Sequence, residues 1–289
     1  VNTVDLLGNV QKVMRHVLVK RGVESKVVTV AGQSVHMYDY RGQGRGAPVV
    51  LVHGLGGSAN GFAGLFRRLG SRFSRVMAVD LPGHGFSAAY CGGPVCVRGQ
   101  FDVLSAWCKQ EVGEPAFVVG NSLGGAMAVN LAAEHPECVK ALALVAPAGA
   151  ALTPEATDAL LNSFDVRTAS EARALTRRLF HKAPLPLILF ANEMKKFYGS
   201  PTVQALAAEA KATRASLAPE ALRGLSMPVL LLWGASERLL PAETLDYYRA
   251  HLPPHAEIHV VEGFGHVPQV ERPDELVSHL VRFADSAGL

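Results

Sequence analysis

The 289-residue chain has no uninterrupted apolar run near the roughly 20 residues that a membrane-crossing helix requires, so no membrane span is expected. It also lacks the apolar core and small-residue cleavage site of an export signal. A signal already removed would leave no trace in the sequence. A cytoplasmic location is therefore the expectation, with export left open. There is no Lys/Arg run, and the net charge is only +3, so no nucleic-acid partner is expected. Cysteine is scarce: Cys91, Cys96, Cys108 and Cys138 form no CxxC…CxxC set, and no HExxH occurs. No metal and no cofactor are expected. Cys91 and Cys96 flank GGPV and can pair under oxidising conditions, but free thiols are the expectation for a cytoplasmic protein. A last absence is local. WGASERLLP (233–241) has no aspartate, only Ser236 and Glu237.

What the chain does contain is apolar and regularly spaced. About half of it (49%) is hydrophobic and 18% is charged, the balance of a folded protein with a large core. Residues 3–20 carry Val4, Leu7, Met14 and Leu18 at helical spacing, with Lys12, Arg15 and Lys20 between them. They predict an amphipathic helix, expected to pack on its own domain rather than touch a membrane surface. Residues 26–40 predict a hairpin around AGQ. Short β-branched apolar runs follow at 48–54, 75–80, 115–120, 140–147, 228–234 and 256–263, each reading as a buried parallel strand. Helical patterns at 59–70, 98–111, 123–134, 241–251 and 273–285 alternate with them. This predicts an α/β protein with a doubly wound, mostly parallel sheet. The rhythm breaks between Pro147 and Pro228, where TPEATDALL, SEARALTRRLF and PTVQALAAEAKATRASL are helical and HKAPLPLILF is apolar. Residues 148–226 are expected to form a helical cap after the sixth core strand. Residues 1–147 and 227–289 then form the core.

Residues 120–124 read GNSLG, a G-x-S-x-G pentapeptide between a predicted strand and a predicted helix. That setting exposes a serine hydroxyl at a sharp turn and puts helix N–H groups beside it. Ser122 is the candidate nucleophile. HGLGG (53–57) follows a predicted buried strand, so the backbone N–H groups of Leu55 and Leu123 are the expected oxyanion donors. His53 is expected to be structural. Of 11 histidines, His266 lies in GFGHVPQVERP, on a predicted loop between the last strand and the last helix. It is placed to take the Ser122 proton. His251, His255 and His259 are spaced four apart, but Pro253 and Pro254 break any shared helical face.

HGLGG, DLPGHGFS, GNSLGG, WGASERLLP and GFGHVPQVERP, in this order, resemble the α/β-hydrolase superfamily, over nearly all of residues 26–285. The resemblance implies that Ser122 is nucleophile and His266 is base, and that Asp80 and His84 shape a loop near the site. Aligning Trp233-Gly234 and Pro241 with the family pattern puts Glu237 where an aspartate is usual. Glu reaches roughly 1.5 Å further than Asp, so it can hydrogen-bond a histidine if the loop retreats slightly. The other family position for the acid, after the preceding strand, is empty, since LVAPAGAALTPE has no carboxylate before Glu155. The competing reading makes Glu237 a surface charge paired with Arg238.

A serine nucleophile argues against the haloalkane dehalogenase and epoxide hydrolase chemistries of relatives that use aspartate. The resemblance implies a carboxylic ester hydrolase, esterase- or lipase-like, that acts through an acyl-enzyme, with apolar acyl chains suggested by LFHKAPLPLILF. Gly54, Leu187 and Val267 are the expected substrate contacts. C–C bond hydrolases of meta-cleavage products are an alternative, carried by GNSLGGAMAVNLAAEHP and APAG. That group usually has an aromatic residue where Val267 stands. Arg177 or Arg178 in the cap is a candidate to bind the substrate carboxylate, the alternative being that both are helix-surface charges. A thioesterase, or a ligand-binding protein on a hydrolase scaffold, completes the alternatives. The expected partner is a small-molecule ester, and the expected assembly a monomer or small homo-oligomer.

Overall fold

A computed structural model describes residues 6–289. Val4 of the predicted N-terminal helix lies outside them. The helix itself, α1 (Leu6–Lys20), leads into a hairpin of β1 (Glu24–Val30) and β2 (Gln33–Arg41). Ala31 and Gly32 turn it with φ of 48° and 78°, the left-handed backbone that a two-residue hairpin loop needs. The parallel strands follow: β3 (Val49–Val52), β4 (Arg75–Val79), β5 (Ala116–Asn121), β6 (Val139–Val145), β7 (Val229–Gly234) and β8 (Glu257–Val261). They join one sheet in the order β1-β2-β4-β3-β5-β6-β7-β8, antiparallel only where β2 meets β1 and β4.

The apolar runs form strands because both sheet faces are covered. One face carries Val50, Val52, Met77, Val118, Leu142, Leu144 and Leu231. The other carries Val49, Leu51, Phe117, Val119, Ala141 and Leu230. The edge strand β8 departs from this pattern. His259 and Val260 are exposed, because no strand lies beyond it and its outer part is left uncovered.

The helices α2 (Phe66–Gly70), α3 (Val97–Trp107) and α4 (Leu123–Glu134) lie between the strands up to β6. After β6 come α5 (Pro154–Asn162), α6 (Ala169–Leu179), α7 (Leu185–Leu189), α8 (Ala191–Tyr198), α9 (Pro201–Thr213) and α10 (Pro219–Arg223), with no strand among them. Thr153 caps α5 by accepting from the Ala156 N–H, and Thr168 with Glu171 forms a capping box on α6. This segment has its own apolar cluster around Phe164, Leu175, Met194 and Val203. The chain closes with α11 (Ala242–His251), α12 (Pro268–Glu271) and α13 (Pro273–Ser286).

Among the described residues, no helix is long and apolar enough to cross a membrane. Cys91 and Cys96 are free thiols. His251, His255 and His259 go to separate partners, Arg223, the Met227 carbonyl and Glu257.

Candidate active site

Ser122 sits at the tip of β5, where the chain turns into α4. Its backbone has φ 56° and ψ −121°, an unfavourable conformation for a residue with a Cβ. Surrounding contacts hold it there. The Ser122 N–H donates to the Val145 carbonyl, and the Ser122 carbonyl accepts from Gly125, Ala126 and Ala148. The motif glycines make room for the turn. A Cβ on Gly120 would lie 2.3 Å from the Gly124 carbonyl oxygen, and one on Gly124 would lie 2.3 Å from that of Val52. Leu123, as the first residue of α4, has an N–H that helix geometry leaves without an intrahelical acceptor.

The loop after β3 runs against the serine. A Cβ on Gly54 would come within 2.8 Å of the Ser122 Cβ. Two buried histidines fix this loop. His53 Nδ1–H donates to the Gly54 carbonyl at 2.8 Å, and its Nε2 accepts from the Leu81 N–H at 3.0 Å. His84 Nδ1–H donates to the Pro82 carbonyl, and its Nε2 accepts from the Gly56 N–H. Burial pushes the His84 imidazole down to about 3, with the nearby His53 adding to the effect, and burial lowers His53 as well. Both rings are neutral struts. Between the two anchored glycines, the Leu55 N–H has no acceptor among the described residues. Asp80, in DLPGHGFS, accepts from the Ala59 and Phe86 N–H groups and from His36, which ties three segments together beneath the loop.

His266 follows β8 and is 2% exposed. Its Nδ1 is 2.8 Å from Glu237 Oε2, and the Glu237 side chain is also only 2% exposed. Glu237 Oε1 accepts from the Leu239 and Leu240 N–H groups at 2.7 and 3.0 Å. Burial by itself would raise this carboxyl, but the charge and hydrogen bond of His266 and the two amides hold it below the ordinary glutamate range. An ionised carboxylate only accepts, so Nδ1 donates and Nε2 is left to face other partners. Glu237 is therefore not a surface charge paired with Arg238. Ser236 turns instead to His181, 2.7 Å from its Nδ1.

Two cavities meet at Ser122. One, of about 230 Å³, is walled by Ser122 and His266 and by the predicted contacts Gly54, Leu187 and Val267. The other, of about 270 Å³, includes Ser122, Leu123, Ala126, Leu160, Ala210 and Leu217, but not His266. Leu55, Phe164 and Leu239 border both.

Several residues that hold this arrangement carry no sequence signal. Asn121 Nδ2 donates to the carbonyls of Val145 and His266 at 3.0 and 2.9 Å, and Gln269 Nε2 donates to Asn121 Oδ1. The residue beside Ser122 thus pins the backbone of His266. Arg178 Nε and Nη2 donate to the Arg238 and Leu239 carbonyls at 2.9 and 3.0 Å, and the His266 N–H donates to the Leu179 carbonyl. Arg178 is therefore engaged with the turn that holds Glu237. Arg177 is exposed and lines neither cavity.

Comparison with known proteins is consistent across the chain. The alpha/beta hydrolase family profile matches residues 49–279. Lipase 1 of Psychrobacter immobilis is 26% identical, over 96% of this chain and 89% of its own. The crystal structure of a membrane phospholipase A, described as a bacterial virulence factor, superposes with a TM-score of 0.82 at 28% identity, covering 98% of this chain and 91% of that one. The 2-hydroxy-6-oxo-6-phenylhexa-2,4-dienoate hydrolase of Rhodococcus sp. strain RHA1 gives 0.76 at 25% identity, covering 90% and 98%.

Proposed function

Because the chain belongs to the alpha/beta hydrolase family, we propose that it is a serine hydrolase that cleaves carboxylic esters of apolar acyl chains. The observation that carries this reading is the meeting of three features at one cavity. Ser122 stands on a strained turn, His266 lines the same wall, and His266 Nδ1 is held by the buried Glu237. Ser122 Oγ attacks the ester carbonyl and gives its proton to His266 Nε2. Glu237 keeps the ring in that tautomer and stabilises the imidazolium. The N–H groups of Leu55 and Leu123 receive the oxyanion. Collapse expels the alcohol with the proton from His266, and water then hydrolyses the acyl-enzyme by the same steps.

Proton traffic assigns the two cavities. The leaving group must depart beside His266, so the alcohol occupies the cavity of about 230 Å³. The acyl chain then enters the apolar cavity of about 270 Å³. Helices α5–α9 act as a cap over both. The lipase and phospholipase among the relatives are in keeping with such substrates. Cleavage of a C–C bond in a meta-cleavage product is less well supported, because Arg178, a candidate for its carboxylate, is spent on backbone carbonyls.

The test is covalent. A fluorophosphonate should label Ser122, and Ser122→Ala should abolish both labelling and hydrolysis of p-nitrophenyl esters. Unlabelled, folded wild-type protein, or full activity in the variant, overturns the reading.

A further inference from the structure

Helix α1 has three distinct faces. Leu7, Gln11, Met14, Arg15 and Leu18 point inward, and of the whole helix only Leu18 is buried. The helix packs against β1, α8 and the turn at 59–62, so the expectation that it packs on its own domain holds for this face alone. At about 100° per residue, Leu6, Val10, Val13 and Val17 fall within about 60° of one another, on a stripe centred about 120° from the centre of the inward face and bordering it where Val10 adjoins Met14. These four are 37%, 46%, 62% and 39% exposed. Lys12, His16 and Lys20 form the third face, also exposed. The helix contains no acidic residue.

The positive charge continues past the helix. Arg21 and Arg67 border a cavity of about 320 Å³ beside Leu18, together with Arg68. Arg68 is paired with Asp274. Arg21 and Arg67 are exposed and have no acidic partner among the described residues, and neither do Lys12 and Lys20. The apolar ground extends as well. Helix α8 packs against α7 as well as α1, and there Leu185, Leu189 and Phe190 are 65%, 69% and 49% exposed. Leu187 of the same turn walls the cavity that contains His266.

We infer that α1 docks this protein on a lipid surface rich in anionic headgroups. The Leu6–Val17 stripe enters the acyl boundary, and Lys12, Lys20, Arg21 and Arg67 meet headgroup phosphates. A narrow apolar stripe flanked by cations, on a helix lying along the surface, is the arrangement that binds the interface without spanning it. The charge selects this occupant over a second copy of the chain. Two such helices face to face would bring like charges together, whereas anionic lipid supplies the complement. The contact would bring a lipid surface close to the turn that borders the His266 cavity.

The experiment reads binding without turnover, so its result is independent of the ester reading. Wild-type protein is sedimented with phosphatidylcholine vesicles, with and without phosphatidylglycerol. Binding is expected with phosphatidylglycerol and should weaken with salt. V13E/V17E should lower it by about tenfold or more. R21E/R67E should lower it selectively on anionic vesicles. V13E/V17E should leave the thermal unfolding midpoint and the far-ultraviolet circular dichroism unchanged, which verifies its fold. Absence of vesicle binding, or binding unaffected by V13E/V17E, overturns the inference. So does a concentration-dependent dimer that V13E/V17E dissolves, which would assign the stripe to a second copy.

Discussion

Glu237 Oε2 lies 2.8 Å from His266 Nδ1, and the other carboxylate oxygen is held by the amides of Leu239 and Leu240. The longer side chain thus meets the histidine with one oxygen while two amides of its own turn grip the other. Glu237→Gln keeps the shape but loses the charge and the certainty of tautomer. Its kcat on a p-nitrophenyl ester should fall by about 10³–10⁴, with thermal unfolding little changed. Glu237→Asp should recover only part of the loss, because its carboxylate falls short by roughly 1.5 Å. Equal kcat for wild type and Glu237→Gln would remove Glu237 from the mechanism.

Arg178 acts one step back. Its two bonds hold the carbonyls of the turn whose amides hold Glu237. Arg178→Met should lower kcat about tenfold while KM moves little. Arg178→Lys, which keeps one donor, should restore part of it. A rise in KM with kcat preserved would mean that Arg178 binds substrate instead.

The acyl assignment can be probed at Ala210, on the wall of the cavity without His266. Ala210→Trp should leave p-nitrophenyl acetate turnover little changed and cut that of the octanoate by about tenfold or more. Equal loss on both esters, or on neither, contradicts the assignment of the acyl chain to that cavity.

Stability should fall on mild acidification. His84 has a folded value depressed to about 3 from 6.5. Between those values the unfolded chain holds a proton that the folded chain refuses, so stability is lost as pH drops below 6.5. His53 acts in the same direction. Glu237 adds a loss at lower pH, as acid passes from its ordinary value of 4.5 toward its depressed folded one. Urea midpoints should therefore be lower near about pH 5 than near about pH 7. His84→Gln should flatten that slope, and an unchanged slope would mean that His84 is already charged in the fold.

Much of the protein is legible in the chain because its determinants are local. The β-branched runs become strands, GNSLG becomes a strained turn between strand and helix, and Gly120 and Gly124 sit where a Cβ has no room. Each depends on neighbours within a few residues and on the covering of both sheet faces. Tertiary structure decided what depends on distance across the chain. Register made Glu237 a candidate partner, but only the packing of the β7 and β8 loops brought it to His266 and out of water. Asn121, Gln269 and Arg178 carry no motif, because hydrogen bonds to distant carbonyls impose no spacing on a sequence. The outward turn of Leu6, Val10, Val13 and Val17 was equally hidden. A periodic pattern names the apolar residues of a helix, but only its neighbours determine which of them are covered.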